Sequence, residues 1–274
     1  MKSAALAAPQ HAFAERAAPP GWTWFPSRIA TFCLVELQKI RHDRSELATR
    51  AVQPVLWLLI FGETFNRLHA IPTGGVRYLD FLAPGIIAQS SMFVAIFYGI
   101  QIIWERDAGV LTKLLVTPTP RSALILGKSF AAGIRSASQV VVVLVLSALL
   151  GVSLTHDPLA ILGAFAVVMM GSAFFACLSM TIAGVVLKRD RLMGIGQMIT
   201  MPLFFASNAL YPVSVMPGWL RVLSRINPLS YEVEALRGLL IGTHARYLLD
   251  FGVLALAVVV GVAAASSLVG RLAR

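Results

Sequence analysis

Six stretches of this sequence run for about 20 residues or more with few charges, long enough as helices to cross a hydrocarbon layer. They are Leu47–Phe65, Tyr78–Ile103, Ala123–Leu150, Leu159–Leu187, Leu192–Leu210 and Leu248–Leu268. A chain with six such stretches cannot bury them all in one aqueous core, so it is expected to be an all-α integral membrane protein. Composition agrees: 57% of the residues are hydrophobic, 13% are charged, and the mean hydropathy is +0.77. Soluble domains carry about a quarter charged residues. Disorder, collagen-like repeats and a small disulfide scaffold are excluded, and Cys33 and Cys177 lack any metal-ligand spacing. The net charge of +10 fits membrane orientation and lipid contact better than a nucleic-acid partner.

The first span is the least regular, with Arg50, Pro54 and Glu63 inside it. Arg50 and Glu63 fall near opposite ends, where long side chains reach water. Arg135 is expected to snorkel to the inner boundary; a charge bound in a transport path is the alternative. Residues 1–26, rich in Ala and Pro, have no apolar core of signal-peptide length and read as a flexible cytoplasmic tail. Residues 27–46 alternate apolar and basic positions at helical spacing, as an amphipathic helix in the membrane interface does; a soluble amphipathic helix is the other reading. Residues 47–274 then form the six-span domain. With both ends of the chain in the cytoplasm, 17 of the 23 basic residues fall on the inner side, as the positive-inside rule requires.

Two connecting segments carry more information than the spans. Residues 104–121 begin with the charges Glu105, Arg106 and Asp107. Val110, Leu111, Leu114 and Leu115 follow at helical spacing, and Pro118 and Pro120 end the run. This predicts a short cytoplasmic helix with an apolar stripe, suited to pass movement from a soluble partner into the spans or merely to rest on lipid head groups. Residues 207–242 predict a pair of short helices on the outer side. Pro217-Gly218-Trp219 opens the first, and Asn227 caps the second with Pro228 at its first position. The second carries Tyr231, Glu232, Glu234 and Arg237, with Glu234 and Arg237 spaced to pair. Neither helix can cross a bilayer, so the pair is expected to be re-entrant, or else a surface hairpin.

The order of interfacial helix, six spans, E-R-x-x-G-x-L loop and outer P-G-W-L…N-P-L-S-Y hairpin resembles the ABC type-2 exporter permease family over residues 27–270. Glu105-Arg106, Gly109, Leu111, Leu114 and Pro118, Pro217 to Leu220, Asn227-Pro228 and Leu203 to Ser207 carry the resemblance. It implies a multi-pass permease of the bacterial inner membrane that pairs with a second copy or a paralogous permease. Each copy would dock a separate ATPase subunit, which binds ATP and Mg, so no cofactor is expected in this chain. Glu105, Arg106, Gly109, Leu111, Leu114 and Pro118 would form the coupling helix. Pro217, Gly218, Trp219, Asn227, Pro228, Tyr231, Glu234 and Arg237 would form the re-entrant hairpin and gate. The cargo would be amphipathic: a drug-like metabolite, a lipid or a lipid-linked glycan.

Other chemistries fit less well. Gly127-Lys128-Ser129 ends like a phosphate-binding loop, but Ser122 stands where the first glycine is required and no strand precedes it. An ion-coupled secondary transporter needs ionisable groups near the bilayer midplane, and the span centres hold essentially none. An intramembrane enzyme needs clustered catalytic side chains, whereas the five histidines are scattered in tails and loops. Phe93, Phe97 and Tyr98, with Phe204 and Phe205, are candidates to line a substrate path; packing is the ordinary role for aromatic residues in spans. No metal site is expected.

Overall fold

The computed structural model describes residues 29–31, 33, 34, 38, 44–68, 71–116 and 120–272. The expected tail 1–26 lies outside them. Of the expected interfacial helix, residues 29–31, 33, 34, 38 and 44–46 are described, and all are helical. Among the described residues there is no strand.

The helical segment Arg44–Leu68 is built of α1 (Arg44–Leu56), a π turn (Trp57–Gly62) and α2 (Glu63–Leu68). Its irregularity begins at a proline. Pro54 has no N–H, so the carbonyl of Arg50, four residues back, loses its helical donor. The side-chain amide Nε2 of Gln139 donates to that carbonyl instead, at 3.1 Å. The longest helix, α3 (Tyr78–Asp107), is the hub of the fold, with 83% of its most apolar stretch buried. Its start is stapled by Arg77 and Asp80. They pair at 2.9 Å, Arg77 donates to the Gly151 carbonyl, and Asp80 accepts from the Ser153 N–H at 3.0 Å.

After a short α4 (Val110–Val116), α5 (Arg121–Leu149) and α6 (Pro158–Val186) run back and forth beside α3. Asp157 caps α6 by accepting from the Leu159 N–H at 3.0 Å, with Pro158 in the first turn. Gly99 permits the close crossing of α3 and α6: a Cβ there would stand 2.5 Å from Ser179 Cβ and 2.7 Å from the Ala176 carbonyl. Next come α7 (Arg189–Phe205), α8 (Gly218–Ile226), α9 (Pro228–Ile241) and α10 (Tyr247–Leu268). The α10 helix is the least covered, with 22% of its apolar stretch buried, as befits a helix facing lipid.

Four described helices are long and apolar enough to cross a membrane: Tyr78–Asp107, Arg121–Leu149, Pro158–Val186 and Tyr247–Arg271. The other two expected spans correspond to the interrupted segment Arg44–Leu68 and to the 17-residue α7. The helices leave two ends, one carrying α4 (the loop end) and one carrying α8 (the hairpin end).

Candidate functional site

At the loop end, one helix over residues 104–120 was the expectation; the backbone divides it. Trp104 to Asp107 complete the last turn of α3, and Gly109 then takes φ +71°, a left-handed conformation that costs glycine little. Helix α4 starts at Val110, and Pro118 lies outside the described residues. Glu105 forms an ion pair with Lys128 of α5. Arg106 Nη1 donates at 2.9 Å to the carbonyl of Leu187, the residue that ends α6 in a left-handed conformation (φ 57°). The other side of the same guanidinium holds Asp107 at 2.8 Å. Arg189, at the start of α7, stacks over Trp104 at 4.6 Å. Leu111 is fully buried and Leu114 packs against the core, while Val110, Thr112 and Lys113 face outward. Glu105 and Arg106 thus tie the last turn of α3 to α5 and to the end of α6, while Leu111 seats α4 on the core and Val110, Thr112 and Lys113 form its exposed face.

Gly127-Lys128-Ser129 lies inside the continuous helix α5. Lys128 is engaged by Glu105, and Ser129 Oγ donates to the Ile125 carbonyl and contacts Cys177 Sγ at 3.0 Å. A helix interior has committed its N–H groups and offers no phosphate cradle. Among the described residues, no three His, Cys, Asp or Glu side chains gather as a metal site would need.

At the hairpin end, Pro217 precedes α8, whose Trp219, Val222, Leu223 and Ile226 are all exposed. Asn227 joins three elements. Its Oδ1 caps α9 through the Leu229 N–H at 3.1 Å, and its Nδ2 donates to the Leu203 carbonyl of α7 at 2.6 Å. Tyr231 donates to the Arg225 carbonyl of α8 at 2.6 Å. The α9 helix packs against α3, α6 and α10, with Leu229, Val233, Leu236 and Leu240 buried. Burial of the neighbouring Tyr211 raises its phenol above the ordinary range, and the proton it keeps is donated to the Phe205 carbonyl at 2.6 Å.

The expected pairing of Glu234 with Arg237 does not occur. Glu234 faces Arg246 at 3.7 Å. Arg237 is buried, and its guanidinium donates to the carbonyls of Phe81 (3.1 Å) and Ala209 (3.0 Å) while lying 3.5 Å from the Phe81 ring centroid. The cause is tertiary. The bend 206–211 after α7 leaves the Ala209 carbonyl without a helical donor, and the buried guanidinium donates to it and to the Phe81 carbonyl of α3 instead of reaching Glu234.

Glu232 was placed on the second hairpin helix by the sequence but given no role there. It is fully buried; Oε1 accepts from Ser91 Oγ of α3 at 3.0 Å, and Oε2 finds no partner among the described residues. It lies against Gly171 of α6, where a Cβ would stand 2.1 Å from Oε2. A signal was available: Leu229, Glu232, Val233, Leu236 and Leu240 form one inward helical stripe.

The candidate path residues form two separate groups. Phe93 and Phe97 line a cavity of about 300 Å³ among α1, α3 and α5, shared with Arg50, Gln53, Ser90 and Gln139. Tyr98 is buried beneath Arg135, whose guanidinium is 5.7 Å from its ring. Arg135 is 8% exposed, turned into the α3–α5 contact and not outward. Phe204 is buried edge-on against Trp57 at 5.4 Å, whereas Phe205 is exposed.

A sequence model of the ABC-2 type transporter family matches residues 29–241. The chain is similar to the transport permease ycf38 of Cyanophora paradoxa, 29% identical over 206 residues that cover 74% of this chain and 69% of that protein. The ycf38 permease of Pyropia yezoensis is 31% identical over 189 residues, covering 68% of this chain and 64% of the relative. The daunorubicin resistance ABC transporter permease protein DrrB1 of Streptomyces coeruleorubidus is 26% identical over 207 residues, covering 76% and 72%.

Proposed function

The chain belongs to the ABC-2 type transporter family, whose members are membrane subunits served by a separate ATPase, and on that premise we propose that it is the permease of an exporter of an amphipathic compound. The observation that carries this reading is the double anchorage of the loop end, Glu105 to Lys128 on α5 and Arg106 to the Leu187 carbonyl between α6 and α7. A soluble subunit gripping the outward face of α4, at Val110 and Lys113, would push on the end of α3, which Glu105 and Arg106 tie to the neighbouring helices. Leu111 and Leu114 seat the lever from within, and Gly109 lets it turn off α3. Movement would reach the hairpin end through α3 and α6, both of which α9 packs against. The hairpin from Pro217 to Arg237 would then open or close the outer exit.

In this arrangement the segment Arg44–Leu68 and α7 complete six spans, with both ends of the chain in the cytoplasm of a bacterial cell. A second copy, or a paralogous permease, supplies the other half of the path. ATP and Mg bind the ATPase subunit. The name of the daunorubicin-resistance relative supports a drug-like cargo; a lipid or lipid-linked glycan shares the same amphipathic character. Phe93, Phe97, Tyr98, Phe204 and Phe205 would flank the path.

The test is co-reconstitution with the ATPase subunit in vesicles. Val110→Asp with Lys113→Glu, on the exposed face of α4, is expected to lower cargo-dependent ATP turnover about tenfold while the permease still inserts. Export at the wild-type rate by that variant would make α4 a mere connector and remove the basis of the reading.

A further inference from the structure

Helix α9 carries a carboxyl into the middle of the molecule. Ser91, which Glu232 touches on α3, lies 13 residues after Tyr78 and 16 before Asp107, about 20 Å and about 24 Å from the ends of that helix. Gly171, which it touches on α6, lies 13 residues after Pro158 and 15 before Val186. Both helices are long enough to cross a membrane, so Glu232 sits where an ionised carboxylate is most costly. Its surroundings do not offset that cost. Ser91 Oγ has one hydrogen and two acceptors, the Ala88 carbonyl at 2.8 Å and Glu232 Oε1 at 3.0 Å. Oε2 is buried without a partner among the described residues. A Cβ on Gly171 would stand 2.1 Å from Oε2 and 2.4 Å from Cδ, so α6 leaves no room on that side for a metal ion or its water.

Among the described residues no cation pairs with Glu232. Helix α6 has no Asp, Glu, Lys, Arg or His. On α3, Asp80 is held by Arg77 and Glu105 by Lys128, and Arg106 pairs with Asp107. On α9 itself, Glu234 faces Arg246 and Arg237 donates to two carbonyls. On α8, Arg221 donates to the Met216 carbonyl and Arg225 is exposed. Asp250 of α10 is buried within the field of Glu234 and Arg246.

We infer that Glu232 is a proton-binding site: its carboxyl is neutral while α9 is seated on α3 and α6, and it releases the proton to water when α9 moves out. A proton on Oε1 ends the shortage at Ser91. It is donated to Ser91 Oγ, whose own hydrogen then serves the Ala88 carbonyl, and Oε2 remains as an uncharged acceptor. In water the same carboxyl ionises, and it takes the proton back when the helix reseats. Proton binding thus favours the seated hairpin. Rising pH favours the open one, by about tenfold per pH unit above the ordinary carboxylate range. The inference rests on the reading of the hairpin as a gate and adds the ion that holds it shut.

The full chain in phosphatidylcholine nanodiscs tests this without the ATPase subunit. Infrared spectra at about pH 8 should show the carbonyl band of an un-ionised carboxylic acid, lost in Glu232→Gln and moved to higher wavenumber in Ser91→Ala. Hydrogen exchange over 228–241 supplies the second readout. The ratio of wild-type to Glu232→Gln rates, which cancels the intrinsic pH dependence of amide exchange, should rise about tenfold per unit between about pH 6 and about pH 8. Asp250→Asn should keep that slope. Should Glu232→Gln fail to insert, the band shift in Ser91→Ala assigns the group. Exchange over 121–149, a helix without a carboxyl side chain, then replaces the variant as reference. A band unmoved by either substitution, a flat ratio, or a slope lost in Asp250→Asn would overturn the inference. Any of these would leave the permease reading standing, since that reading is tested at α4.

Discussion

Replacing Gln139 by Leu in a chain that keeps Pro54 strands the Arg50 carbonyl, since the proline has no N–H and the amide was the substitute donor. The expected cost is about 1 kcal/mol, that of one buried hydrogen bond left unmade. In a Pro54→Ala background the helix supplies its own donor, so the same Gln139→Leu change should cost much less. Unfolding in mixed micelles with a double-mutant cycle reads the difference, and equal costs in both backgrounds would mean that the amide serves something other than the proline. Both residues were visible in the sequence, and Pro54 was seen to weaken the first span. Their pairing was not legible, because it joins positions 85 residues apart on helices whose relative rotation no periodicity encodes. Arg135 shows the same limit. Its position near the inner boundary suggested snorkelling, but only tertiary contact could reveal that it turns onto Tyr98.

Elements were more legible than residues. The apolar stretches marked α3, α5, α6 and α10 because length and low charge suffice to specify a helix whose backbone must satisfy itself. Asn227-Pro228 marked the start of α9 for an equally local reason, a side-chain cap followed by a residue that needs no donor. The break at Gly109 was less legible, since the charges of 104–107 look alike whether they belong to α3 or to α4. The Arg237 contacts illustrate where local rules stop: spacing of three residues permits a pair with Glu234, but α9 is interior and two carbonyls of other elements compete. Arg237→Lys keeps the charge and loses the fork, and should lower stability by about 2 kcal/mol. Glu234→Ala removes a part-exposed, 3.7 Å pair with Arg246 and should cost less than about 1 kcal/mol. Thermal unfolding of the two purified variants compares them, and equal shifts would argue that Arg237 is held by charge and not by its geometry.

At the scale of the molecule, coverage falls from the centre outward: 83% of the apolar stretch of α3 is buried against 22% of that of α10. A gradient of this kind in water would be an aggregating surface; in a bilayer it needs only lipid or a second copy. The proposed direction of export depends on which end faces the cytoplasm, and the basic residues argue for the loop end. Lys113, Arg121, Lys188, Arg189 and Arg191 cluster there, whereas the turn 151–157 at the other end has no lysine or arginine. The assignment is testable after Cys33 and Cys177 are replaced by Ala. His156→Cys, exposed at the hairpin end, should react with a membrane-impermeant maleimide on intact cells. Lys113→Cys, exposed on α4, should react only after lysis. The reverse pattern would put α4 outside, beyond reach of any ATP-hydrolysing subunit, and the lever would then have no motor to follow.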